Sequence, residues 1–277
     1  MLSPILIGPL KIERLNIAIT DLSTSLVGTK ITQLSDLHYD GLRLSEDLLT
    51  EAIKLSNNED PDLVLLTGDY ITDQPNTIDK LAKHLQYLKS RMGIYAVLGN
   101  HDYYHHQAKH LLTEALTNIG IIVLWNEIAT PLGDDLPIVG LADFWSQEFN
   151  PEPIMNQLPS YIPRLVLSHN PDSAVVLQRW RVDLQLSGHT HGGQINIPCL
   201  GPAPILLDKI YQYTPKYLHS WIPFIKTHSR IVKHWQWAQG WHQIQKNQLY
   251  VNRGLGTYFP GRLFCSPEVT SITLITQ

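Results

Sequence analysis

From about residue 29 the chain alternates short apolar runs with stretches in which apolar residues recur every three or four positions. The runs TKITQLSD, PDLVLLTGD, GIYAVLGN, GIIVLWN, LPIVGLAD, PRLVLSHN and VDLQLSGH each read as a buried β-strand ending in a polar or glycine-containing turn. The intervening stretches carry a helical period. Leu81, Leu85 and Leu88 fall at i, i+4 and i+7 after Thr77, which is placed to cap. Leu112, Ala115, Leu116 and Ile119 form a stripe closed by Gly120, and Ser45 with Glu46 and Asp47 opens a helix carrying Leu49 and Ile53.

Strands alternating with helices predict an α/β layered architecture. The late runs QLYVNRG and VTSITLITQ have no helix between them, so a second, partly antiparallel group of strands is expected to complete the core. No internal repeat is visible, and residues 1–277 read as a single domain.

Composition narrows the function classes. With 277 residues, 43% of them hydrophobic, the chain can bury a substantial core. A formal net charge of −4 argues against a general nucleic-acid surface, which needs a basic excess, and any phosphate recognition is expected to be local. Cys199 and Cys265, the two cysteines, have no CxxC spacing; they are expected to be buried small hydrophobes in a reducing compartment. The apolar N-terminal stretch before Lys11 is too short to span a bilayer. A cytoplasmic chain, at most peripheral to a membrane, is the expectation.

One segment differs in texture. Between about 209 and 246 lie six Lys or Arg and no Asp or Glu, together with Tyr211, Tyr213, Tyr217, Trp221, Phe224, Trp235, Trp237 and Trp241. This insertion-like, basic and aromatic stretch suits an anionic membrane surface, where indole and phenol rings prefer the headgroup region. The other reading, favoured by the lack of a sustained helical period, is that these aromatics cover a core edge or line a substrate cleft.

The chemistry collects at strand ends. Asp36 and His38, Asp69, Asn100 with His101 and Asp102, His169, and His189 with His191 each follow a predicted strand. In an α/β sheet the carboxyl ends of strands converge on one edge, so these scattered residues are expected to meet. Imidazole nitrogens with carboxylate and amide oxygens suit divalent Mn, Fe, Zn or Co. Seven of these, Asp36, His38, Asp69, Asn100, His169, His189 and His191, exceed the need of one ion and fit two with a shared carboxylate, an arrangement suited to displacement at phosphorus.

The ordered series Asp36-Leu37-His38, Gly68-Asp69, Gly99-Asn100-His101-Asp102, His169 and Gly188-His189-Thr190-His191 resembles the calcineurin-like metallophosphoesterases. The strings GHTHGGQI and VNRGLGT, with Pro267-Glu268, are similar to its bacterial membrane-associated phosphodiesterase branch, and the resemblance runs over roughly residues 12–275. It implies a layered β-sandwich of mixed sheets flanked by helices. It further implies that Asp36, His38 and His191 hold one metal ion and Asn100, His169 and His189 a second, with Asp69 bridging. His101 would then protonate the leaving oxygen or stabilise charge on the phosphoryl group, oriented by Asp102.

Several residues stand outside that series. Arg253 is a candidate contact to a substrate phosphate or a structural partner of a carboxylate. His105, His106 and His110 read as bystanders, and Asp143 either as a loop or cap residue or as one that approaches the site. The expected function is a dinuclear metal-dependent phosphohydrolase that cleaves a phosphodiester or pyrophosphate bond by attack of a metal-bound hydroxide, on a lipid-linked or nucleotide-sugar substrate. A phosphomonoesterase or phosphoprotein phosphatase is the enzymatic alternative. A metal-free scaffold is the alternative of another class, disfavoured because every expected position carries a ligand-competent residue.

Overall fold

The structure is a computed structural model that describes residues 6–72, 74–215 and 231–277, with the backbone alone at 208 and 210–212. In chain order it runs β1 (Lys11–Ile19), β2 (Lys30–Leu34), α1 (Glu46–Asn58), β3 (Leu63–Leu66), α2 (Ile78–Leu85), β4 (Ile94–Ala96), α3 (Ala108–Asn118), β5 (Ile121–Val123), β6 (Glu127–Ala129) and β7 (Ile138–Gly140). There follow α4 (Glu152–Met155), β8 (Leu165–Leu167), α5 (Ala174–Leu177), β9 (Leu184–Ser187), β10 (Asn196–Ile197), β11 (Gly201–Pro202), α6 (Ala203–Tyr213), β12 (Gly240–Ile244), β13 (Asn247–Val251) and β14 (Glu268–Thr276).

All seven predicted strands form, and they divide between two six-stranded sheets ordered β1-β14-β2-β3-β4-β5 and β12-β13-β9-β8-β7-β6. Strands β2 to β5 run parallel in the first sheet and β7, β8, β9 and β13 parallel in the second. The late strands supply antiparallel pairings, β14 against β2 and β12 against β13, and β6 adds another against β7. Period-two alternation divides each strand between two cores. Leu63 and Leu65 of β3 face the other sheet, where they join Leu165 and Leu167 of β8 and Leu184 and Leu186 of β9. Val64 and Leu66 face outward, against Leu49 and Ile53 of α1 and Leu81 and Leu85 of α2. On the far side Val166 packs with Met155 of α4 and Leu177 of α5. The result is a β-sandwich of mixed sheets with helices outside each.

Ser45 caps α1 through its side chain, which accepts the Leu48 amide at 3.2 Å. Thr77 does not cap α2. A short 3-10 turn, Pro75–Thr77, feeds the helix directly, and the Thr77 side chain makes no capping bond. Within the basic, aromatic segment, α6 ends at Tyr213, whereas Tyr217, Trp221 and Phe224 lie outside the described residues. Among the described residues no helix is long and apolar enough to cross a membrane.

Candidate metal centre

The loops after β2, β3, β4, β8 and β9 deliver all seven predicted ligands to one place. Ligand atoms of Asp36, His38 and His191 lie within 4.8 Å of one another, as do those of Asp69, His169 and His189, and those of His38, Asp69 and His101. His38 and Asp69 therefore connect the two outer groups. Asp69 Oδ2 stands 3.1 Å from His169 Nε2 and 3.4 Å from His38 Nε2, and Asp36 Oδ1 stands 3.5 Å from His191 Nε2.

The backbone is forced to bring them there. Asp36, His38, Asp69, His189 and His191 sit at φ values of 50°, 42°, 57°, 71° and 51°, a left-handed conformation costly for residues with a Cβ and sustained only where the surroundings over-determine it. Glycine supplies the remaining room. Gly68 also turns through positive φ, at 96°, while Gly188 does not. At Gly188 the constraint is space, because a Cβ there would overlap Ser35 Oγ and the Asp36 carboxylate.

Each imidazole is tied at one nitrogen, which leaves the other for the cluster. His169 Nδ1 donates to the Thr67 carbonyl at 2.7 Å, His191 Nδ1 to that of Gly256 at 3.0 Å and His189 Nε2 to that of Ile231 at 2.9 Å. Since a carbonyl only accepts, these bonds set the tautomers and aim lone pairs inward. Those inward nitrogens crowd one another: His169 Nε2 lies 3.2 Å from His189 Nδ1, and His38 Nε2 lies 3.2 Å from His191 Nε2. Such facing nitrogens need a proton or a metal cation between them, and a metal cation can take the place of the proton. Asn100 Oδ1 is buried with no hydrogen-bond partner among the described residues, a further oxygen awaiting a positive charge. The residues therefore fit two divalent ions.

Electrostatics agree. Burial would lift the Asp69 carboxyl, but the charges of His169 and His38 override it and hold it well below the usual range. Burial would likewise lower His169, yet Asp69 drives it up to about 10. Burial, then the charge of His169, depresses His189 to about 3, and burial with His38 holds His191 well below its ordinary value. These last two stay neutral, the state in which imidazole is a ligand.

His101 lies at the cluster's edge, half-buried. Its amide donates to Asp69 Oδ1 at 2.9 Å, and its Nδ1 meets the Thr72 carbonyl at 2.6 Å. Here the expectation for Asp102 is corrected. Its carboxylate accepts the backbone amides of Asp69, Gly99, Tyr70 and Ile71, so it braces the turns rather than the imidazole, which Thr72 holds instead. Arg253 is not brought to the cleft: it pairs with Glu13 at 2.7 Å and Glu268 at 3.0 Å. Asp143 is buried and accepts Tyr103 Oη at 2.7 Å. His106 and His110 are exposed, and neither they nor half-buried His105 line the cleft. Cys265 is buried as expected, but Cys199 is exposed, because it lies in the turn between β10 and β11.

A cleft of about 460 Å³ opens over the cluster. Its lining combines Asp69, Asn100, His101, His189 and His191 with an apolar wall built from Ile195, Pro204, Leu207, Ile231, Trp235 and Phe259. Trp235 lines the cleft, as one reading of the aromatic segment expects, whereas the other apolar residues and Tyr258, whose Oη lies 3.1 Å from His38 Nδ1, were missed in the sequence. The string VNRGLGT signalled this region but not its neighbour Tyr258.

Residues 29–193 match the Metallophos family, calcineurin-like phosphoesterase. The chain is 34% identical over 252 residues to phosphodiesterase YaeI of Escherichia coli, covering 89% of this chain and 82% of that one. It is 28% identical over 305 residues to UDP-2,3-diacylglucosamine pyrophosphatase LpxG of Chlamydia trachomatis, covering 93% and 87%. The fold is similar to that of a dimetal phosphatase from Danio rerio, with a TM-score of 0.52 and 12% identity over 84% of this chain and 90% of the other.

Proposed function

The chain belongs to the calcineurin-like phosphoesterase family and is a phosphoric-ester hydrolase, and from that premise we propose that it cleaves a phosphodiester or pyrophosphate bond in a lipid-linked substrate. The observation that carries the substrate class is the mixed lining of the cleft, which joins the donor cluster to the apolar wall of Pro204, Leu207, Ile231, Trp235 and Phe259. A charged head with attached acyl chains matches both parts. Two relatives, named as a phosphodiesterase and as a diacylglucosamine pyrophosphatase, support that reading.

Asp36, His38, Asp69, Asn100, His169, His189 and His191 would hold two divalent ions, from Mn, Fe, Zn or Co. Such ions supply an acidified water and neutralise charge on the phosphoryl oxygens. The chain's own residues do the rest. Asp69 joins the two donor groups and receives the His101 amide, which sets His101 beside the reacting phosphoryl group. Because Nδ1 of His101 is engaged by Thr72, Nε2 is the nitrogen that would carry the proton to the leaving oxygen. Asp102 keeps the turns at Asp69 and Gly99 in register through their amides. Exposed Phe259 on the wall, with exposed Leu200, Leu263 and Phe264 in the segments that continue it, supports peripheral contact with a bilayer that supplies the substrate.

The test is a panel assayed with Mn²⁺: bis-p-nitrophenyl phosphate, the corresponding monoester, and a diacylated nucleotide-sugar pyrophosphate beside its deacylated form. Hydrolysis of the diester over the monoester, and of the diacylated over the deacylated pyrophosphate, is expected. Turnover of the monoester alone would transfer the protein to the phosphomonoesterases. Equal rates with and without acyl chains would remove the lipid assignment.

A further inference from the structure

Arg262 is 3% exposed, yet among the described residues its guanidinium has no carboxylate partner. Its bonds run to the backbone instead. Nη2 donates to the carbonyls of Arg253, Gly254 and Gly256 at 2.8, 3.2 and 2.7 Å, Nη1 to those of His191 and Cys265 at 3.3 and 3.5 Å, and Nε to Thr257 Oγ1 at 2.9 Å. A buried cation is tolerated only when its donors are matched, and here the planar fork is met by oxygens on each side.

What this fork grips is the loop 253–258, and that loop touches every member of one donor group. The Gly256 carbonyl that accepts Arg262 also accepts His191 Nδ1 at 3.0 Å. The Gly256 amide donates to the Asp36 carbonyl at 2.7 Å and the Leu255 amide to that of Ser35 at 3.0 Å. Tyr258 Oη reaches His38 Nδ1 at 3.1 Å. In the other group, His169 and His189 are instead oriented by the carbonyls of Thr67 and Ile231.

We propose that Arg262 is a positioning residue that locks the 253–258 loop as the cradle of the Asp36–His38–His191 cation site, and that it acts on that site rather than on the one formed with His169 and His189. This deepens, and rests on, the two-cation reading above. A lysine cannot replace it, because one tetrahedral ammonium cannot span acceptors spread across a plane.

The experiment uses the full chain stripped by a chelator and titrated with Mn²⁺, read by calorimetry and by electron paramagnetic resonance, with stability followed by urea unfolding. Arg262→Lys should weaken one of two Mn²⁺ sites by about 10- to 100-fold, the usual scale for losing a group that orients a ligand, and leave the second within about twofold. The control is Arg164→Lys. Arg164 is likewise buried and likewise donates to carbonyls, those of Met155, Leu158, Pro159 and Ile162, so its loss should lower stability with both Mn²⁺ sites intact. Equal weakening of both sites by Arg262→Lys, or a folded variant with neither weakened, overturns the proposal. Should Arg262→Lys fail to fold, Thr257→Val removes one acceptor of the same guanidinium, and unchanged affinities there are equally fatal. A folded wild-type chain that binds no Mn²⁺ would instead sink the two-cation reading, and the role of Arg262 with it.

Discussion

Asp102 Oδ2 accepts the backbone amide of Asp69 at 2.7 Å, across a separation of 33 residues, and accepts that of Gly99 at 2.8 Å. One buried carboxylate thus joins the loop after β3 to the loop after β4. Asn in its place presents an NH₂ toward buried N–H donors, each of which costs about 1–3 kcal/mol when unpaired. Asp102→Asn should therefore lose on the order of 2–4 kcal/mol in urea unfolding and lower turnover with it. A variant as stable as the parent but with a shifted pH–rate profile would restore Asp102 as the partner of His101.

His101 separates protonation from ligation. Its ring is grouped with His38 and Asp69, yet its Nδ1 belongs to Thr72. If it carries the proton, His101→Ala should lower kcat by about 10²–10⁴-fold, the scale of general acid catalysis, while two Mn²⁺ still bind. Loss of an Mn²⁺ site in that variant would make it a ligand instead.

Much of this was legible along the chain because every ligand follows one of five strand ends, so that the local pattern of apolar run, small turn residue and donor marks it. β1 was not. Lys11, Glu13 and Arg14 interrupt its alternation, since it is an edge strand with a half-exposed face. The partners that orient the donors were equally hidden. Thr72, Gly256 and Ile231 act through carbonyls, which every residue possesses, and their pairings with His101, His191 and His189 span 29, 65 and 42 positions. Glycine at 188 was legible as a turn, but the reason for it is the nearby Asp36 carboxylate.

That reason has a consequence. Because an added Cβ at residue 188 would meet Ser35 and Asp36 and not open space, Gly188→Ala should displace Asp36 and reduce metal content. Gly133, at positive φ where Gly188 is not and with open space around its Cβ position, is the comparison. Gly133→Ala should cost stability only, so metal analysis of the two purified variants tells crowding from backbone strain.

The apolar wall predicts a split in substrate dependence. Leu207→Asp and Trp235→Ala alter a surface that shares the cleft with the donor cluster without belonging to it. Both should raise KM for a diacylated pyrophosphate by about tenfold or more, in line with the roughly 1.5–3 kcal/mol carried by a buried large side chain, and leave bis-p-nitrophenyl phosphate nearly unchanged. Parallel losses on both substrates would show that the wall supports the site and does not read acyl chains.

The metal-free chain should depend on pH in a way that the cluster dictates. His189 is depressed to about 3 and His191 well below its ordinary value, so the unfolded chain binds more protons than the folded one below about pH 6.5. Stability from these two is present above that pH and lost as pH falls. His169 is raised to about 10 by Asp69, so its contribution is complete below about pH 6.5 and lost as pH rises toward 10. Chelated protein should therefore unfold at lower urea on both sides of a maximum near neutrality. Adding Mn²⁺ should raise the whole curve and flatten its alkaline limb, because ligation replaces the proton that His169 otherwise carries. An alkaline limb with the same slope with and without Mn²⁺ would mean that His169 does not ligate.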